Sequence, residues 1–134
     1  MSNPATITLP DAIKGDYWPP SSDLNGKIVF GPIQFQNPDT LALSDPTTQL
    51  NRVVATFKNP RFISKFILDS DDNQNRNGPI YITQDVGAWT FEIRHMCNFL
   101  PEVGDWNCDI AIYHGNSNCS LTIYKSTVTV NPEV

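Results

Sequence analysis

Basic residues are scarce. Nine Lys and Arg stand against fourteen Asp and Glu, giving a net charge of −5. The nine are spread from Lys14 to Lys125 without a run, whereas phosphate binding needs clustered cations, so no nucleic-acid partner is expected. Long apolar runs are also missing; none approaches the roughly 20 residues of a membrane-spanning helix, so no membrane partner is expected either. The opening residues Met1 to Thr6 hold no basic segment leading into an apolar one. That pattern excludes a secretory signal and leaves two settings, the cytoplasm or a larger particle that carries the protein out of the cell. Cysteine is limited to Cys97, Cys108 and Cys119. An odd number without a secretory signal does not make a disulfide framework, and the three are expected to be buried, reduced thiols. Strong helix formers are sparse.

What the chain does have is Thr, Ile, Val, Asn, Asp and eleven prolines, a composition that favours short strands broken by turns. The 134 residues suit one domain with a sizeable core. Alternation is clearest in three places. Trp89, Phe91, Ile93 and His95 share one face of a strand, opposed to Thr90, Glu92 and Arg94. Trp106, Cys108, Ile110 and Ile112 share the inner face of another that ends at His114, and Val53, Ala55 and Phe57 alternate with Arg52, Val54 and Thr56 in a third. Further strands are expected at Phe62 to Leu68, Ile80 to Thr83 and Ile28 to Phe35, the last broken at Gly31-Pro32. The turn around Pro101 to Gly104 predicts a hairpin that sets Cys97 opposite Cys108 and Ile93 opposite Ile112. The final strand, Cys119 to Val130, should pair back after a turn at Gly115 to Asn118. Its apolar residues change parity, from Cys119, Leu121 and Ile123 to Val128 and Val130, which predicts a bulge between Lys125 and Thr127.

Candidate chemistry is thin. The polar loop Asp69 to Gly78 offers Asn73, Asn75, Asn77, Gly78 and Gln84 at calcium-loop spacing, yet no carboxylate falls on those ligand positions and no helix flanks them. His95, Cys97, Cys108, His114 and Cys119 fit no zinc spacing, and the expected register splits them between two ends of a hairpin. No metal site is expected. There is no Gly-x-Ser-x-Gly elbow, no paired glutamates and no thiol with an activating cation, so no catalytic residues and no cofactor are assigned. Aromatic residues raise a carbohydrate-binding reading, but Trp89 and Trp106 fall on inward faces. Tyr17 and Trp18 in the proline-rich start, with Tyr113 and Tyr124 taken as outward-facing, remain as candidate partner-binding residues.

Several stretches resemble a known family. Residues Asn77 to Ile93, Leu100 to Ile110 and Tyr124 to Val130, with the opening Leu9-Pro10-Asp11-Ala12-Ile13-Lys14-Gly15-Asp16-Tyr17-Trp18, resemble the strand–turn blocks of small phage tail proteins. The overall pattern is similar to the N-terminal domain of phage baseplate upper proteins and related tail-fibre-associated domains. Two positions depart from it: Ser126 stands where the family has glycine, and Cys108 where it has tyrosine. The resemblance implies no catalytic residues. It implies a virion protein assembled in the host cytoplasm, whose partners are other virion proteins, copies of itself included. Longer family members carry receptor-binding regions beyond this domain, so the expected role is that of a connector or wedge.

Together these readings predict an all-β fold: an immunoglobulin-like antiparallel β-sandwich over residues 22–134, preceded by an extended N-terminal arm over residues 1–21 that serves as the main docking element, the alternative being that Thr6 to Leu9 is the first strand of the sandwich with Trp18 packed beneath it. The expected function is protein–protein binding in a baseplate or at a tail-fibre attachment. A head decoration or neck protein is the same-class alternative, and a carbohydrate-binding module the alternative of another class.

Overall fold

A computed structural model of the chain describes residues 5–14, 18–19, 27–35, 39–40, 49–71, 80–85, 88–94, 100, 102–115 and 120–132. Among these the strands are β1 (Ala5–Thr6), β2 (Ala12–Ile13), β3 (Lys27–Ile33), β4 (Leu50–Asn59), β5 (Ser64–Asp69), β6 (Ile80–Asp85), β7 (Ala88–Arg94), β8 (Gly104–His114) and β9 (Leu121–Asn131). No α-helix forms among the described residues.

The strands make two sheets. The larger runs β1-β9-β8-β4-β5, with β2 also on β9; the smaller runs β3-β7-β6. One core lies between them. Val53, Ala55, Phe57, Trp106, Ile110, Ile112, Val128 and Val130 enter it from the large sheet, and Phe30, Ile80, Phe91 and Ile93 from the small one. The all-β sandwich expected from the turn spacing is therefore present. In β4 and β8 the expected inner faces are the buried ones, because a period of two puts every second residue against the other sheet.

The expected hairpin between the Trp89 and Trp106 strands does not form. β7 lies between β3 and β6 in the small sheet, so Ile93 pairs with Ile28 and Ile80. β8 lies between β4 and β9, so Ile112 pairs with Val53 and Leu121. Each strand has a nearer hairpin partner, β6 for β7 and β9 for β8. The connection from residue 95 to 103 thus passes from one sheet to the other. Cys97 and His95 lie outside the described residues.

The parity change in the last strand is real but sits upstream of its expected place. The β8–β9 ladder is regular through Lys125, Ser126 and Thr127 and shifts where Ile110 pairs with Tyr124 while Ala111 pairs with Thr122. Ile123 is the extra residue. A hydrophobic parity pattern brackets a bulge only between apolar residues. With Tyr124 expected to face outward, the pattern places the switch past it.

β3 also contains a bulge, between Phe30 and Ile33. Gly31 sits there with φ 119°, and a Cβ on it would come within 2.8 Å of the Trp89 carbonyl oxygen. Only glycine lets the strand run that close to β7. The opposite case is Ile63, in the turn between β4 and β5. It has φ 56° and is 93% exposed. A β-branched residue in the left-handed region costs about 1–2 kcal/mol, and no burial of this side chain offsets that.

The described part of residues 1–21 packs into the sandwich and is not an arm outside the core. β1 and β2 lie in turn along β9, both parallel to it, with Ala5 and Thr6 paired to Tyr124 and Lys125 and with Ala12 and Ile13 paired to Val130 and Asn131. Ile7 N donates to Lys125 O at 2.9 Å and Lys14 N to Asn131 O at 2.9 Å. Pro10 falls between the two pairings, where a missing N–H does no harm. Leu9, Ala12 and Trp18 are all part of the core.

Candidate partner-binding surfaces

Of the four candidate aromatic residues, Tyr17 lies outside the described residues. Trp18 is fully buried; its indole N–H donates to Pro10 O at 2.9 Å and its ring meets Phe57 edge-on at 6.2 Å. It is a core residue and not an exposed anchor. Tyr124 is also corrected. The bulge at Ile123 turns it to the core side, where its ring lies 5.6 Å from Phe30 and 6.3 Å from Phe91, and burial raises its hydroxyl pKa. Only Tyr113 stays on the outer face. It is half-buried, with the Arg52 guanidinium 5.1 Å from its ring centre.

Arg52 is held in turn by Asp69. Its Nε donates to Asp69 Oδ1 at 2.9 Å and its second terminal nitrogen to Asp69 Oδ2; Nε also lies 3.4 Å from Asp71 Oδ2. The fork holds the buried Asp69 carboxyl below its ordinary value, chiefly through these hydrogen bonds. The native state therefore favours the carboxylate, and its contribution is complete above the ordinary aspartate value. It is lost as pH falls through the lowered native value, because the unfolded chain takes up the proton first. Asp69→Asn should lower stability at pH 7 and lose less than the unaltered protein between pH 5 and pH 2. Urea midpoints across that range are the measurement, and equal acid sensitivity of the two proteins would refute the assignment.

The zinc set does not assemble among the described residues. Cys108 and His114 lie on one strand, about 20 Å apart at the usual rise per residue. His114 stacks on Phe35 at 4.9 Å, and Cys97, Cys119 and His95 are outside the described residues. No group of three His, Cys, Asp or Glu side chains suited to a metal occurs among the described residues. Cys108 is a free, buried thiol, and burial pushes its pKa up to about 12. A thiol in that state is unreactive. In the native protein Cys108 should resist iodoacetamide at pH 8, and it should be alkylated within minutes in denaturant; peptide mass mapping reads both. Rapid native labelling of Cys108 would show that its strand opens readily.

Directly paired residues share a face, so the ladders give the outer surface of the large sheet row by row. One row runs Thr6, Lys125, Asp109, Thr56, Ile67 and the next Thr127, Asn107, Lys58, Lys65. Between β1 and β8 an open groove of about 580 Å³ is lined mainly by polar side chains, among them Thr6, Thr8, Asn107, Asp109, Lys125 and Thr127. Among the described residues no aromatic side chain lines it.

The surface that sequence reasoning missed is the β4–β5 hairpin. Phe62 and Ile63 were expected in a strand, but they occupy its turn, 49% and 93% exposed, and Ile67 on β5 is 50% exposed. The Asn59-Pro60 pair was the available signal, since such a pair starts a turn. At this end of the sandwich Ser64 Oγ donates to Glu102 Oε1 at 2.6 Å. Among the described residues the buried Glu102 Oε2 and Asn59 Nδ2 have no hydrogen-bond partner.

Compared with known proteins, the chain matches no family model, and a search of curated proteins finds no significant match.

Proposed function

We propose that the chain is an immunoglobulin-like structural protein of a tailed-phage virion, acting by protein–protein binding in a baseplate or at a tail-fibre attachment. The observation that carries this reading is where the resembling sequence blocks fall. Asn77 to Ile93 covers the β6–β7 hairpin, the Gly104 to Ile110 part of the second block is the first half of β8, and Tyr124 to Val130 is the body of β9 after its bulge. The first block thus spans a hairpin, and the second and third fall largely within single strands.

The strand order supports the immunoglobulin-like part. With β3 to β9 taken as strands B, C, C′, D, E, F and G, the small sheet is B-E-D and the large sheet G-F-C-C′, as in a variable-type sandwich. Trp106 supports it too. Its indole N–H donates back to Glu102 O at 2.9 Å near the start of β8, two residues before Cys108. In antibody domains a tyrosine makes the equivalent bond two residues before the cysteine of strand F.

The test is the protein content of particles. Mass spectrometry of purified virions from cells making this chain should find it in fixed proportion to the other tail proteins, and a glycan array probed with the purified chain should stay blank. Particles that lack the chain would overturn the reading. Saturable binding to one class of glycan, with the chain absent from particles, would favour a carbohydrate-binding module.

A further inference from the structure

We propose that the β4–β5 turn is a membrane-contact site: Phe62 and Ile63 enter the surface of a bilayer that carries anionic phospholipids, and Lys58, Arg61 and Lys65 meet its phosphates. The proposal goes beyond the reading above and does not rest on it. No helix among the described residues is long and apolar enough to cross a membrane, and a surface contact needs none.

Two features of this turn are unfavourable for the chain by itself. Ile63 has φ 56° and is 93% exposed, so a β-branched residue bears left-handed strain without gaining burial. One rung behind the Asn59–Ser64 pair that closes the turn, Lys58 stands directly opposite Lys65, a like-charge pair that weakens the ladder. An anionic bilayer offsets both. Its headgroup boundary takes up the apolar side chains, and its phosphates lie between the two lysines.

The turn is built to present these groups. Pro60, Arg61, Phe62 and Ile63 join β4 to β5, and all four are exposed. Asn59 Oδ1 accepts from Arg61 N at 3.1 Å and Ser64 Oγ donates to Glu102 Oε1 at 2.6 Å, so both shoulders of the turn are fixed. Val103 follows Glu102 and adds exposed apolar surface at the same end. Arg61 lies 5.6 Å from the Phe62 ring centre, which sets a cation beside the apolar apex. The two lysines stand further back, and their long stems let the charges stay at the phosphates while Phe62 and Ile63 go deeper.

The charge around the turn is of one sign. Between Asp45 and Asp69 the sequence holds Arg52, Lys58, Arg61 and Lys65 and no Asp or Glu, although the chain carries a net −5. Lys58, Arg61 and Lys65 are exposed, and they form no ion pair among the described residues. Glu102 and Asp105, at the same end, are each held by a hydroxyl, from Ser64 and Thr129. The acidic remainder of the chain is screened beyond roughly 10 Å at ordinary salt. The size of the site favours lipid over protein. A stable protein complex buries roughly 800 Å² on each side, more than one such turn supplies, whereas binding to a bilayer has no threshold and grows with each apolar group and each cation.

Co-sedimentation of the full chain with lipid vesicles is the test. Vesicles of phosphatidylglycerol and phosphatidylcholine should bind it, with affinity falling as salt rises, and vesicles of phosphatidylcholine alone should not. Ile63→Asn suits the left-handed backbone, and Lys65→Glu turns the like-charge pair into an opposite one. Both variants should therefore melt at or above the temperature of the unaltered chain, and each should bind the anionic vesicles about tenfold more weakly. Val29→Thr, a change at an exposed position of the small sheet, should bind as the unaltered chain does. The proposal is overturned if the unaltered chain ignores anionic vesicles, if it binds both compositions equally, or if either turn variant binds as tightly as the unaltered chain. If the chain ignores vesicles while Ile63→Asn keeps it out of particles, the turn is a protein contact and the proposal fails. Absence of the chain from particles would remove the virion role and leave vesicle binding standing.

Discussion

Trp106→Ala should cost about 3–5 kcal/mol, a large part of the roughly 5–15 kcal/mol that holds a domain of this kind folded. The side chain is completely buried at the β8 position paired with Val128, so truncation leaves a cavity that strands fixed on both sides cannot close. Its indole N–H also satisfies Glu102 O. Glu102 takes the Ser64 hydroxyl as well, so the loss reaches the β4–β5 hairpin. Trp106→Phe separates the two contributions. It keeps most of the volume and loses the hydrogen bond, and should cost about 1–2 kcal/mol. Urea unfolding of both variants is the measurement. A loss below 1 kcal/mol for alanine would mean that the corner is not tied down by this residue.

The strands that alternate without interruption could be read directly. β4 and β8 are central, with one face buried, and their inward residues Val53, Ala55, Phe57, Trp106, Cys108, Ile110 and Ile112 are all buried. Partner choice was not readable in the same way. Periodicity says which face of β7 and β8 is buried and nothing about which sheet each joins, so two strands adjacent in sequence were paired although the chain crosses the sandwich between them. Bulges were half readable. The apolar parity of β9 required one, but an amphipathic tyrosine at position 124 hid the true switch at Ile123. The basic residues that seem scattered along the chain are not all so in space, since the ladder sets Lys58 against Lys65. Of the candidate site residues, Trp18 and Tyr124 were chosen for being large and aromatic, which is equally a reason to be buried. The exposed apolar residues Phe62, Ile63 and Ile67 follow the turn that Asn59-Pro60 signals.

Deleting residues 1–20 should abolish cooperative unfolding. The proline-rich start looked like an arm because Pro4, Pro10, Pro19 and Pro20 cannot donate to a ladder. The structure meets that constraint in another way. Two short parallel pairings to β9 stand on either side of Pro10, and the Pro10 carbonyl accepts from the Trp18 indole. The segment closes the outer edge of β9 and fills the core beneath it. Its deletion removes Leu9, Ala12 and Trp18 from the core, about 5 kcal/mol or more of burial at roughly 1.5–3 kcal/mol for each large side chain and somewhat more for tryptophan. That is comparable to the whole stability of a marginal domain. It also exposes Phe57, against which Trp18 packs, and strips the edge of the last strand. Trp18→Ala in the full chain is the milder form of the experiment and should cost about 3–5 kcal/mol. Circular dichroism melting and urea titration of both variants against the full chain are the measurement. A truncated chain that melts cooperatively within a few degrees of the full chain would show that the segment only rests on the sandwich. In that case the segment would not be needed for folding, and the docking-arm reading would return.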